Sequence, residues 1–86
     1  MNDIYKKNIM FRFRIIGNKN ILIGNSKTYE LNETGKFIWS SIDGKSSVKD
    51  IKEQIINEYH CDDKVAEGDL KNFLAFLTSI NAVKIS

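Results

Sequence analysis

Apolar and polar positions alternate from Ile9 to Ile16: Ile9, Phe11, Phe13 and Ile15 fall on one side, Met10, Arg12, Arg14 and Ile16 on the other. A period of two predicts a half-buried strand with a solvated arginine face. Gly17-Asn18-Lys19-Asn20 reads as a turn, Ile21-Leu22-Ile23 as a second strand, and Gly24-Asn25-Ser26 as another turn. Lys27-Thr28-Tyr29-Glu30-Leu31 then predicts a short third strand with Tyr29 and Leu31 on one face. Connections this short make the three strands an antiparallel meander.

After Leu31 the spacing changes to that of helices. Asn32 suits an N-cap, and Ile38, Trp39 and Ile42 share one face of a helix over 34–42. Asp43-Gly44 closes it, with Gly44 free to take a left-handed cap. Ser47-Val48-Lys49-Asp50 approximates a capping box, opening a helix with Val48, Ile51, Ile55 and Tyr59 inward. Asp62 or Asp63 caps a third helix, striped by Ala66, Leu70, Phe73, Leu74, Leu77 and Ile80. Asn81 suits its C-terminal cap, and Val83-Lys84-Ile85 reads as an extended tail. The fold class is α+β: a three-stranded antiparallel sheet followed by three helices, winged helix-turn-helix-like.

Length and composition bound what such a fold can do. The 86 residues make one domain, 1–86, with residues 1–8 expected to be a flexible N-terminus. The longest unbroken apolar run, Phe73 to Leu77, is too short to span a membrane. The N-terminus lacks the apolar segment of a signal peptide. Cys61 is the only cysteine, so no internal disulfide forms, and a cytoplasmic location is expected. The net charge is only +2, but six basic residues against two acidic give residues 1–31 a net +4, while seven against nine give residues 32–86 a net −2.

Chemical motifs are sparse. His60-Cys61-Asp62-Asp63 has no second cluster to complete a four-ligand zinc site, and adjacent Cys and His side chains diverge, so neither metal nor thiolate catalysis is expected. Gly35-Lys36 lacks the remaining residues of a phosphate loop, and no cofactor is expected. Three helices with a β-wing also suit a small winged-helix DNA-binding regulator of transcription. In the second and third predicted helices, however, lysines are matched or outnumbered by acids, and the basic residues lie on the strands. Nucleic acid is therefore the alternative. The principal reading rests on the third strand, whose outer edge leaves backbone groups unpaired and open to an added peptide strand. Phe76 lies on the flank of the third helix's apolar stripe, either as a core-edge residue or as the wall of a groove beside that edge.

Tyr29-Glu30-Leu31-Asn32-Glu33-Thr34-Gly35-Lys36-Phe37-Ile38-Trp39 resembles the PqqD family, also called RiPP recognition elements, which bind leaders of ribosomally made and post-translationally modified peptides. The likeness continues through Ile42-Asp43-Gly44, Val48-Lys49-Asp50-Ile51 and Asp69-Leu70-Lys71-Asn72-Phe73-Leu74. It implies a non-catalytic adaptor, with Lys27, Thr28, Tyr29, Glu30 and Leu31 pairing with the leader and Asp69, Asn72, Phe73 and Phe76 walling the groove. Phe76 departs from the polar residue usual in the family. Thr34-Gly35 resembles the lasso-peptide branch, which implies a leader peptidase and an asparagine-synthetase-like cyclase as partners. The quinone-cofactor branch implies a radical SAM enzyme instead. A monomer or weak dimer is expected.

Overall fold

The computed structural model describes residues 2–86, Met1 lying outside the described residues. In chain order the elements are β1 (Tyr5–Lys7), β2 (Arg12–Ile16), β3 (Lys19–Gly24), β4 (Lys27–Leu31), α1 (Glu33–Ser41), α2 (Val48–Tyr59), α3 (Asp63–Ser79) and β5 (Val83–Ile85). β2, β3 and β4 form the expected antiparallel meander, with β3 in the centre.

Both reversals in the meander are tighter than the sequence pattern suggests. Gly17, at φ 61, opens a two-residue turn, so Lys19 and Asn20 belong to β3. Asn25 and Ser26, at φ 54 and 60, form the other, with the two positive φ angles of a type I′ turn. Its twist matches that of the strands it joins. Asn20 is thereby buried and satisfied: its amide donates to the Leu31 carbonyl at 3.3 Å and to Glu33 Oε2 at 2.7 Å. These bonds pin the end of β4 to the start of α1.

β2 begins at Arg12, later than the alternation implies. Ahead of it the chain turns, the Phe11 N–H donating to the Asn8 carbonyl at 3.0 Å, and Ile9 in this turn is 91% exposed. Phe11 and Phe13 point inward as expected, but Ile15, beside the Gly17 reversal, remains exposed. The Phe11 ring occupies the space that any Cβ on Gly24 would need.

The N-terminal residues differ most from expectation. Instead of a flexible arm, β1 pairs antiparallel with β5, Tyr5 opposite Ile85 and Lys7 opposite Val83. The Val48 N–H donates to the Asp3 carbonyl, and Ser86 to that of Ile4, at 2.8 and 2.7 Å. The expected extended tail is thus the second strand of a small separate sheet. Burial lowers the Lys7 pKa, Asp43 opposing the shift, and its ammonium lies 4.8 Å from the centre of the Trp39 ring.

Helix boundaries follow their caps. Asn32 Oδ1 accepts the Gly35 N–H at 2.7 Å to start α1, and Ser47 with Asp50 completes both halves of the capping box on α2. α1 ends differently from expectation: Ile42, buried and extended, is its C-cap. Gly44, at φ 77, serves the next turn, where Asp43 Oδ1 accepts the Lys45 and Ser46 N–H groups at 2.8 and 2.7 Å. Those bonds hold the Asp43 pKa below its ordinary value. At the end of α3, Asn81 at φ 64 allows its own N–H to reach the Thr78 carbonyl and that of Ala82 to reach Leu77. This Schellman arrangement directs the chain into β5.

Leu22 and Leu31 from the sheet meet Ile38, Trp39, Ile51, Ile55, Leu70, Leu74 and Leu77 in one core. Each such side chain contributes about 1.5–3 kcal/mol when fully buried. Tyr59, expected inward, instead packs edge-on against Phe37 at 5.6 Å and is 41% exposed.

Candidate functional site

β4 has β3 on one side and no strand on the other. The chain's own spare strand, β1, is committed to β5, so among the described residues nothing fills this edge. Which groups face outward follows from register. A two-residue hairpin loop is closed by a hydrogen-bonded pair, here Gly24 and Lys27, and antiparallel pairs then alternate between bonded and non-bonded. Leu22–Tyr29 and Asn20–Leu31 are therefore bonded pairs, while Ile23–Thr28 and Ile21–Glu30 are not. The backbone groups of Lys27, Tyr29 and Leu31 face β3, leaving those of Thr28 and Glu30 on the open edge. Side chains alternate the other way: Tyr29 is half-buried and Leu31 buried, whereas Thr28 and Glu30 are exposed.

A groove of about 300 Å³ lies between α1 and α3. Asp69, Asn72, Phe73 and Phe76, separated by three, four and seven residues along α3, share its helical wall. Asn32, Thr34, Gly35 and Ile38 form the facing wall. Gly35 matters by its lack of a side chain: a Cβ there would lie 3.0 Å from Phe73 Cε1 and 3.2 Å from Asn32 Oδ1. The Phe73 ring can consequently rest against the first turn of α1.

Phe76 connects the edge to this groove. Its ring is edge-on to Tyr29 at 5.7 Å and tilted against Phe73 at 6.0 Å. It is half-buried, attached to the core and lining the groove, and so occupies both positions considered from the sequence. Of the nine residues singled out by resemblance, five lie on β4 and four on the groove's α3 wall. The opposing wall comes from α1, not directly from β4, which reaches α3 through the Tyr29–Phe76 contact. The sequence reading missed the whole facing wall, Asn32, Thr34, Gly35 and Ile38, although a glycine in the first turn of a helix signals a close approach there.

Asp69 is exposed and, among the described residues, is the only charged one lining the groove. It forms no ion pair among the described residues; Lys71, two residues further along α3, pairs with Glu67 instead. His60 takes the left-handed cap of α2, followed by the half-buried Cys61. Among the described residues no group of three or more His, Cys, Asp or Glu side chains could hold a metal ion, and no helix is long and apolar enough to cross a membrane.

This architecture recurs in known structures. The complex of TbiB1 with the TbiA(β) leader peptide contains a chain that is 23% identical, with a TM-score of 0.80 over 92% of this chain and 94% of that one. The PqqD truncation of Methylobacterium extorquens PqqCD, a functional stand-alone RiPP recognition element, is 22% identical, with a TM-score of 0.80 over 94% of this chain and 88% of that one. At these identities the likeness establishes fold. No curated protein sequence matches the chain. The family model for coenzyme PQQ synthesis protein D (PqqD) matches residues 21–83, from β3 into β5 and across both edge and groove. The chain belongs to the PqqD family.

Proposed function

We propose that this protein is a non-catalytic adaptor that captures the leader of a ribosomally synthesised precursor peptide and presents it to a modifying enzyme or leader peptidase. The observation that carries this reading is the uncovered β4 edge, where Thr28 and Glu30 turn their backbone groups outward beside an aromatic groove. An extended segment placed there continues the sheet, and its alternate side chains face α3. Lys27, Tyr29 and Leu31 support the edge from within, Tyr29 through its contact with Phe76. The fold shared with TbiB1, which is seen in complex with a leader peptide, supports the same reading.

The backbone alone does not supply enough affinity. Thr28 and Glu30 offer two donors and two acceptors, and four bonds at about 0.5–1.5 kcal/mol each total roughly 2–6 kcal/mol. Ordering a disordered leader costs about 2–5 kcal/mol, before any loss of rigid-body freedom. Anchors in the groove, each worth about 1.5–3 kcal/mol if fully buried, must therefore supply the surplus and the selectivity.

Thr34-Gly35 at the groove and the likeness to TbiB1 favour a lasso-type pathway, with a leader peptidase and a cyclase as partners; a radical SAM enzyme is the counterpart in the other branch. The adaptor acts in the cytoplasm, as a monomer or weak dimer. The DNA-binding alternative is disfavoured by charge, because ion pairs to acidic neighbours occupy Lys52 and Lys71 on the two helices that would approach a duplex. Titration of labelled leader peptide from a precursor gene neighbouring this one should give saturable binding at micromolar concentrations. Absence of saturation there, with tight salt-dependent binding to duplex DNA, would reverse the assignment.

A further inference from the structure

The groove contains an acidic group with no internal counterpart. Asp69 is the one charged residue among its described lining side chains, and none of the ion pairs among the described residues includes it. Phe73 and Phe76, one and two turns further along the same face of α3, provide aromatic surface beside the carboxylate. The N-terminus of α1 brings a partial positive charge to the opposite wall. Two groups already answer it: the Asn32 side chain accepts the Gly35 N–H, and Glu33 stands in the first turn, accepting from Asn20. The charge lining the groove is thus negative, opposite in sign to the net charge of the strand-rich half.

We infer that the groove selects a leader carrying lysine or arginine at an inward-facing position, the aliphatic stem lying on Phe73 and Phe76 and the cationic head meeting Asp69. This rests on the proposal that β4 accepts the leader as a strand. A long basic side chain suits such a site because its stem is apolar while its head retains access to water at the exposed carboxylate. Attraction to the aromatic rings adds to the ion pair. Spacing supplies a second requirement. Four residues of helix rise about 6 Å and two residues of strand about 7 Å. A segment lying along α3 therefore sets alternate side chains opposite Asp69 and Phe73, and the selected pattern is a basic residue with an apolar one two positions away.

The test is a displayed library of short random peptides selected on the intact protein, followed by titration of a synthetic enriched peptide and its norleucine counterpart. The expected outcome is enrichment of a basic residue two positions from an apolar one, with about five-fold weaker binding of the norleucine peptide. Asp69→Asn should remove that difference, and Asp69→Lys should shift preference to a peptide with glutamate at the same position. Peptides that lose binding on Thr28→Pro but show no basic preference and no response at Asp69 overturn this inference alone. Peptides that bind Thr28→Pro unchanged overturn strand addition itself. Enrichment of tyrosine or another neutral side chain at the position also refutes selection by charge.

Discussion

Proline substitution at adjacent positions of β4 should have opposite consequences, and the contrast tests the register directly. Thr28 sits in a non-bonded pair with Ile23, so its N–H points away from β3. Thr28→Pro removes no internal ladder bond, and proline is tolerated on a strand edge whose N–H side faces solvent. Its cost to stability should stay within about 1 kcal/mol, the span of strand propensities. A bound leader, in contrast, loses one backbone bond of about 0.5–1.5 kcal/mol, and the carbonyl facing the new ring goes unpaired at a further cost of about 1–3 kcal/mol. Binding should weaken at least ten-fold. Tyr29 lies in the bonded pair with Leu22, which is fully buried. Tyr29→Pro orphans that carbonyl, costing about 1–3 kcal/mol. It also removes the edge-on contact with Phe76, worth about 0.5–1.5 kcal/mol. Against the roughly 4–13 kcal/mol expected for a domain of 86 residues, this is a large loss. Urea unfolding followed through the buried Trp39, together with leader anisotropy, measures both effects. Equal destabilisation by the two prolines would refute the register, and a folded Thr28→Pro protein with unchanged affinity would refute the edge as the binding site.

Three further outcomes follow from the groove and its surroundings. Gly35→Ala gains helix propensity of about 1 kcal/mol but pushes Phe73 aside, so unfolding should shift by less than about 1 kcal/mol while leader affinity falls in calorimetric titration. Phe76→Ala should weaken the leader complex by more than it destabilises the half-buried site, as comparison of the two free-energy changes would show; the reverse ranking makes it an ordinary core residue. Asp43 has its folded pKa depressed by bonds from Ser46 and Lys45, so its stabilisation is present above its ordinary value of 3.8 and is lost as pH falls through the lower folded value. The stability difference between wild type and Asp43→Asn, followed by urea unfolding in acid, should accordingly shrink below that window.

Local chemistry made much of this fold legible. The Asn32 cap, the Ser47–Asp50 box and the β3–β4 hairpin each depend on residues a few positions apart, where side-chain type and spacing are decisive. The pairing of β1 with β5 was not legible, because two three-residue strands from opposite ends of the chain show no usable period and meet only after α3 has turned Asn81. Ile9 illustrates a related limit: it matches the alternation of Phe11 and Phe13, but the bond between Phe11 and Asn8 places it in a turn. At the site, the edge and the α3 wall were accessible from pattern and resemblance. The α1 wall depended on how closely Phe73 approaches Gly35, a property of tertiary packing.

Residue-resolved amide hydrogen exchange, with and without the leader peptide, tests the central claim most directly. The Lys27, Tyr29 and Leu31 amides should be protected in the free protein by their bonds to β3, while Thr28 and Glu30 exchange rapidly and become protected only when the leader binds. Saturable binding that leaves the Thr28 and Glu30 amides unprotected would contradict strand addition at β4.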